Sequence, residues 1–116
     1  MGKIHSLKKS VEFQRVYRRR RSLGNKYLVM YLAENKTADL RLGISVSKKV
    51  GNSVVRHRLA RLIRESFRLN MDAFRTGYDI IFVARPSAKG QGYTEIESAM
   101  LNLCRMHGTL SLEESK

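Results

Sequence analysis

Leu40-Arg41-Leu42-Gly43-Ile44-Ser45-Val46-Ser47 runs, across the connection Lys48-Lys49-Val50-Gly51-Asn52, into Ser53-Val54-Val55-Arg56-His57-Arg58-Leu59-Ala60-Arg61-Leu62-Ile63-Arg64-Glu65-Ser66-Phe67-Arg68. Within this stretch the period of apolar residues changes from two to 3.6. Leu40, Leu42, Ile44 and Val46 alternate with Arg41, Gly43, Ser45 and Ser47, the pattern of a strand with one face in a core. Its other face is small and polar. Gly51-Asn52 is a turn signal. From about Ser53 to Asn70 the apolar residues recur at helical spacing. A one-faced strand leading into an amphipathic helix points to a layered fold in which helices cover a sheet.

The helix carries its charge on one side. With Arg56 set at zero and 100° per residue, His57, Arg61, Arg64 and Arg68 fall between about 80° and 140°. Val55, Leu59, Leu62 and Ile63 fall between about 240° and 340°, and Arg56 and Arg58 flank that apolar arc. From Lys48 to Arg68, seven Lys or Arg residues face one acid, Glu65. A merely solvated helix would mix Glu with Arg in i, i+4 pairs. Here the arginines lack such partners, and the guanidinium fork suits phosphate oxygens. The pattern points to nucleic acid without choosing between a DNA major groove and an RNA surface.

Upstream, residues 1–9 read as a basic, mobile lead-in. Ser10 reads as the cap of a helix from about Val11 to Arg20, with Glu12 in its first turn and Phe13, Val16 and Tyr17 on one face. Tyr27 to Ala33 reads as a buried strand that places Tyr27 and Tyr31 on one face, and residues 34–39 read as a polar hairpin loop. Downstream, Tyr78 to Ala84 is a second buried strand with Asp79 as its one charge. A loop from Pro86 to Gly92 follows. Thr94 and Glu97 suggest a capping box for a last helix with Ile96, Met100, Leu103 and Cys104 on its apolar stripe. The fold class is α+β: one α/β sandwich domain over residues 10–107, its helices on a mostly antiparallel sheet of about four strands. Residues 108–116 form a C-terminal tail.

Composition narrows the partners. The chain has 116 residues, the length of one domain, and 42% of them are hydrophobic, enough for a core. Its formal net charge of +13 favours a polyanion, because neutralising phosphates releases counterions. The lone Cys104 excludes an internal disulfide and reads as core. No apolar run reaches membrane-span length and no signal peptide is evident, so a cytoplasmic protein without a membrane partner is expected. His5, His57 and His107 are not spaced as metal ligands, and no nucleophile motif or carboxylate pair is present. No catalytic residue, no metal site and no obligate protein partner are assigned. His57 reads as a polar contact rather than an acid or base. From spacing alone, Phe13, Tyr17, Tyr27 and Tyr31 read as core, the alternative being platforms for single-stranded bases. Phe67, Phe74 and Phe82 read as core.

The stretch Arg41 to Phe67 closely resembles the signature of the bacterial ribonuclease P protein. Phe13-Gln14-Arg15-Val16-Tyr17 and Tyr78-Asp79-Ile80-Ile81-Phe82-Val83-Ala84-Arg85-Pro86 match in order and spacing, so the resemblance covers roughly residues 6–105. It implies an α/β sandwich with a left-handed β-α-β crossover, against the usual rule. It implies a subunit that binds a catalytic RNA, itself dependent on Mg2+, and the 5′ leader of precursor tRNA. The protein alone would be inactive. It places Arg56, His57, Arg58, Arg61 and Arg64 toward the RNA, a set that the charge pattern extends to Lys48, Lys49 and Arg68. It places Phe13, Tyr17 and Tyr31 in a leader cleft, for which the small polar strand face at Ser45 and Ser47 is the expected floor. Two positions depart from the family pattern: His57 stands where Asn is usual, and Ala60 where a basic residue is common. The rival functions are a structural RNA binder of ribosomal type and a stand-alone nuclease using His57.

Overall fold

The period-two stretch forms a strand, Leu40–Ser45, and the helical stretch a helix, Ser53–Leu69. The structure, a computed structural model, describes residues 4–108. In chain order the elements are β1 (His5–Ser6), α1 (Ser10–Arg18), β2 (Ser22–Gly24), β3 (Leu28–Glu34), β4 (Leu40–Ser45), α2 (Ser53–Leu69), β5 (Tyr78–Ala84) and α3 (Tyr93–His107). Single 3-10 turns lie at Met71–Ala73 and Pro86–Ala88. The expected α+β sandwich is present. Its sheet has five strands, in the order β1-β4-β5-β3-β2, rather than about four. It is mixed: β1–β4 and β4–β5 are parallel, β5–β3 and β3–β2 antiparallel.

β5 takes the centre because it is apolar on both faces. Ile80 and Phe82 enter one core and Ile81 the other, a pattern that suits a strand covered on both sides. It inserts between β3 and β4, so residues 34–39 join strands that do not pair and are not a hairpin loop. That loop instead clamps the start of β5. The Asn35 N–H donates to the Gly77 carbonyl at 2.9 Å, and the Gly77 N–H donates to the Asp39 carbonyl at 2.8 Å. Gly77 turns there at φ +88°, a conformation open to glycine. The passage β4–α2–β5 joins adjacent parallel strands as a β-α-β crossover.

α2 and α3 cover one sheet face. Leu59, Ile63 and Phe67 from α2 meet Ile96, Met100, Leu103 and Cys104 from α3 over Met30, Leu32, Leu42, Ile80 and Phe82. Phe67, Phe74 and Phe82 are buried together, with ring centroids 4.9 Å (Phe67–Phe74) and 6.4 Å (Phe67–Phe82) apart. α3 begins at Tyr93, so its first turn is closed by Glu95, which accepts from the Gly92 N–H at 3.2 Å. Glu97 is not a capping residue. It accepts from Asn70 Nδ2 at 2.9 Å and from the Tyr93 hydroxyl at 3.0 Å, tying α3 to the end of α2.

α1 covers the other face, seating the fully buried Val16 against Ala33, Ile81 and Leu7. Lys9, not Ser10, is its N-cap, and Glu12 Oε1 accepts from the backbone N–H groups of Lys8 (2.7 Å) and Lys9 (3.0 Å). Residues 4–9 are not a separate mobile lead-in. β1 pairs with β4 through His5↔Arg41 and Ser6↔Leu42, and Leu7 is buried. The domain therefore begins before Ser10. Residues 1–3 and 109–116, the ends of the expected lead-in and tail, lie outside the described residues. No described helix is long and apolar enough to cross a membrane.

Candidate nucleic-acid interface

α2 is capped by Asn52, whose Oδ1 accepts from the Val55 N–H at 3.0 Å. Leu59, Ile63, Ser66 and Phe67 are buried and Val55 and Leu62 pack against the core, so the opposite side of the helix faces outward. His57, Arg58, Arg61, Arg64 and Arg68 are all exposed, as are Lys48 and Lys49 on the connection before it. The structure thus gathers most of the cations expected to face RNA, with differences of duty. Arg56 is half-buried, and its guanidinium donates to the Gly51 carbonyl at 3.2 Å, bracing the turn. Arg64 reaches the Ser6 hydroxyl at 3.4 Å, which sets it beside the β1 edge. Arg68 pairs with Glu65, whose carboxyl is held below its usual range by that hydrogen bond. His57, Arg58 and Arg61 make no ion pair among the described residues.

On the opposite sheet face the strand registers produce three rows of residues. Ser45, Val83 and Val29 form one row, Gly43, Ile81 and Tyr31 the middle one, and Arg41, Asp79 and Ala33 the third. α1 crosses the middle row. Phe13 lies on Gly43 so closely that a Cβ there would stand 2.8 Å from its Cζ. One turn on, Tyr17 packs edge-on against Tyr31, with ring centroids 4.8 Å apart at 81°. The Tyr17 hydroxyl meets that of Ser45, and burial raises its pKa against the opposing effect of that hydrogen bond. Phe13, Tyr17, Tyr31 and Ser45 therefore line one half-buried cleft along the Ser45–Val83–Val29 row.

Two expected residues fall elsewhere. Ser47 lies beyond the end of β4 and its hydroxyl accepts from the Lys49 N–H at 3.3 Å, so it shapes the connection to α2 rather than the cleft floor. Tyr27 does not share the face of Tyr31. The Asn25 side chain accepts from the Tyr27 and Leu28 N–H groups, and this turn sends Tyr27 to the core under α3.

Sequence reasoning missed the anchor of α1. Arg41 donates from Nε and from its second terminal nitrogen to the two oxygens of buried Asp79, both at 2.7 Å, and its other nitrogen lies 3.7 Å from Glu12. Asn35 also donates to Asp79, at 2.9 Å. A lone Asp in an otherwise apolar strand was the available signal. Its partner is identified by the register Arg41↔Asp79, which only the fold supplies.

This arrangement can hold a polyanion along α2 and flat, unpaired bases in the cleft. Among the described residues no three His, Cys, Asp or Glu side chains converge as metal ligands. The family model described as ribonuclease P matches residues 1–108. The chain belongs to the ribonuclease P protein family. It is 55% identical over 109 residues to the ribonuclease P protein component of Lachnoclostridium phytofermentans, covering 94% of each chain. It is 49% identical over 107 residues to that of a Clostridium botulinum strain, covering 91% of this chain and 96% of the relative. Among solved structures, the Staphylococcus aureus ribonuclease P protein superposes with a TM-score of 0.85 at 35% identity, over 94% of this chain and 100% of that one. The Thermotoga maritima protein gives 0.80 at 29% identity, over 87% and 96%. The protein is therefore a subunit of the tRNA 5′-processing ribonucleoprotein ribonuclease P, and it works with ribonuclease P RNA.

Proposed function

We propose that the protein docks ribonuclease P RNA through α2 and holds the 5′ leader of precursor tRNA in the α1 cleft. Lys48, Lys49, His57, Arg58, Arg61 and Arg64 carry the docking, with Arg56 and Arg68 also held by Gly51 and Glu65. Phe13, Tyr17, Tyr31 and Ser45 receive the leader, whose unpaired bases offer π faces to the rings. The observation that carries this reading is the junction of the two surfaces. β4 brings Ser45 to the cleft and, within a few residues, Lys48 and Lys49 to the start of α2. An RNA bound along α2 thereby sits next to a strand lying in the cleft. Leader hydrolysis belongs to the RNA, which uses Mg2+, and the protein alone is inactive. The complex acts in the cytoplasm.

Reconstitution tests this. The protein alone should leave precursor tRNA intact, and adding a bacterial ribonuclease P RNA should give leader removal at lower Mg2+ than the RNA needs by itself. Cleavage without RNA would favour a stand-alone nuclease using His57, and no stimulation would favour a structural RNA binder. Tyr17→Ala is expected to weaken binding of long-leader precursor by about 1–3 kcal/mol, the scale of one base–aromatic stack. Mature tRNA should be unaffected. Equal losses for both would remove the leader from the cleft.

A further inference from the structure

α1 divides its sheet face into two grooves, and the aromatic cleft uses only one. On the far flank Glu12, Arg15 and Arg19 lie above the Arg41–Asp79–Ala33 row. There Arg15, Arg19, Lys36 and Arg41 line a pocket of about 210 Å³ with Ala33, Glu34, Asn35 and Asp79. A neighbouring pocket of about 280 Å³ adds Arg21 and shares Arg19, Ala33 and Glu34. Together the two hold five cations and two carboxylates. One carboxylate, Asp79, is already saturated by Arg41 and Asn35. The other, Glu34, is exposed, lines both pockets and faces four cations that have no other acid, while Glu12 on α1 is committed to the Lys8 and Lys9 N–H groups and to Arg41. Arg15, Arg19, Arg21 and Lys36 are exposed and make no ion pair among the described residues.

An ordinary solvated flank would interleave acids with these arginines. This one instead concentrates like charge against the sheet, an arrangement that repels itself until an anion arrives. No aromatic ring lines either pocket, so the groove offers nothing on which a base could stack. It offers guanidinium forks, which suit phosphate oxygens. We infer that the Arg15–Arg19–Arg21–Lys36 groove is a second, sequence-independent docking surface for the sugar-phosphate backbone of the catalytic RNA, separate from α2 and from the leader cleft. The inference rests on the reading of the protein as an RNA-docking subunit. It adds that the RNA contacts α1 from the flank opposite to the leader.

The experiment is the salt dependence of binding of full-length protein to ribonuclease P RNA alone, without tRNA. Arg15→Gln/Arg19→Gln removes two cations while keeping good helix formers. The logarithmic salt slope is expected to fall by roughly one to two units, and affinity severalfold. The precursor-to-mature preference should not change. Lys89→Gln/Arg105→Gln, which removes equal charge from α3 and the loop before it, should leave the slope nearly as in wild type. Equal slopes for the two double variants would reduce the effect to net charge and overturn the site. A loss that appears only with long-leader precursor would assign the groove to the leader instead and also overturn it. Failure of the unmodified protein to bind the RNA would count against the docking function itself, separately from the groove. Circular dichroism melts confirm that both variants fold.

Discussion

At Gly43 one hydrogen atom decides whether α1 can lie on the sheet. A Cβ there would approach Phe13 Cζ and Cε2 to 2.8 and 2.9 Å and Ile81 Cγ1 to 3.2 Å. Ile81 is fully buried and cannot give way, so the Phe13 ring must move. Gly43→Ala is expected to destabilise the fold by roughly 1–3 kcal/mol, the scale of overpacking. It should weaken binding of precursor more than of the catalytic RNA, because α2 lies on the other face. Urea unfolding, and affinities for precursor tRNA, mature tRNA and the catalytic RNA, check this. Unchanged stability with unchanged precursor preference would mean that the ring does not depend on that contact. The smallness of this strand face is legible in the recurrence of Gly43, Ser45 and Ser47. What presses on it is not, because the Phe13 contact joins segments far apart in the chain. The same limit hid Arg41 from Asp79.

Among the elements, those with a sustained period were read closely. β5 occupies the residues its apolar run indicates, and α2 ends within one residue of the expected point. β1 and β2 are too short, at two and three residues, for any period to show. β5 entered between β3 and β4 because its two-sided hydrophobicity outweighed the local suggestion of a hairpin. α1 was visible as a helix, yet its fastening at the N-terminus depends on Glu12. Backbone hydrogen bonds from Lys9 and Lys8, and then Arg41, hold the Glu12 carboxyl below its ordinary value of 4.5. A carboxylate depressed in the folded state contributes stability that is complete above its unfolded value. That contribution is lost as pH falls through the folded value. Glu12→Gln should therefore be less stable than wild type near about pH 7, and the two should converge toward about pH 3. Urea midpoints across that range test it. A gap independent of pH would mean that Glu12 acts through packing alone.

Over the whole molecule, charge and stability oppose each other. A formal charge of +13 sits within a radius of gyration of 13.3 Å, and the pairs of Arg41 with Glu12 and Asp79 and of Arg68 with Glu65 offset little of it. Distances across such a body, 39 × 30 × 27 Å, are roughly three to four screening lengths at about 0.1 M salt, so the repulsion is felt by neighbouring cations and is screened easily. Salt should therefore act in opposite directions on the two states of the protein. Raising it from about 0.05 M to about 0.2 M should stabilise the free chain by weakening self-repulsion. The same change should sharply weaken RNA binding, because counterion release becomes less favourable. With RNA at about 100 times Kd, binding adds about 2.7 kcal/mol to stability. That increment should shrink with salt until the melting temperatures with and without RNA meet. Paired melts over a salt series measure both trends. A free chain whose melting temperature falls with salt would show that its cations are already balanced within the fold, and that no unpaired surface awaits the RNA.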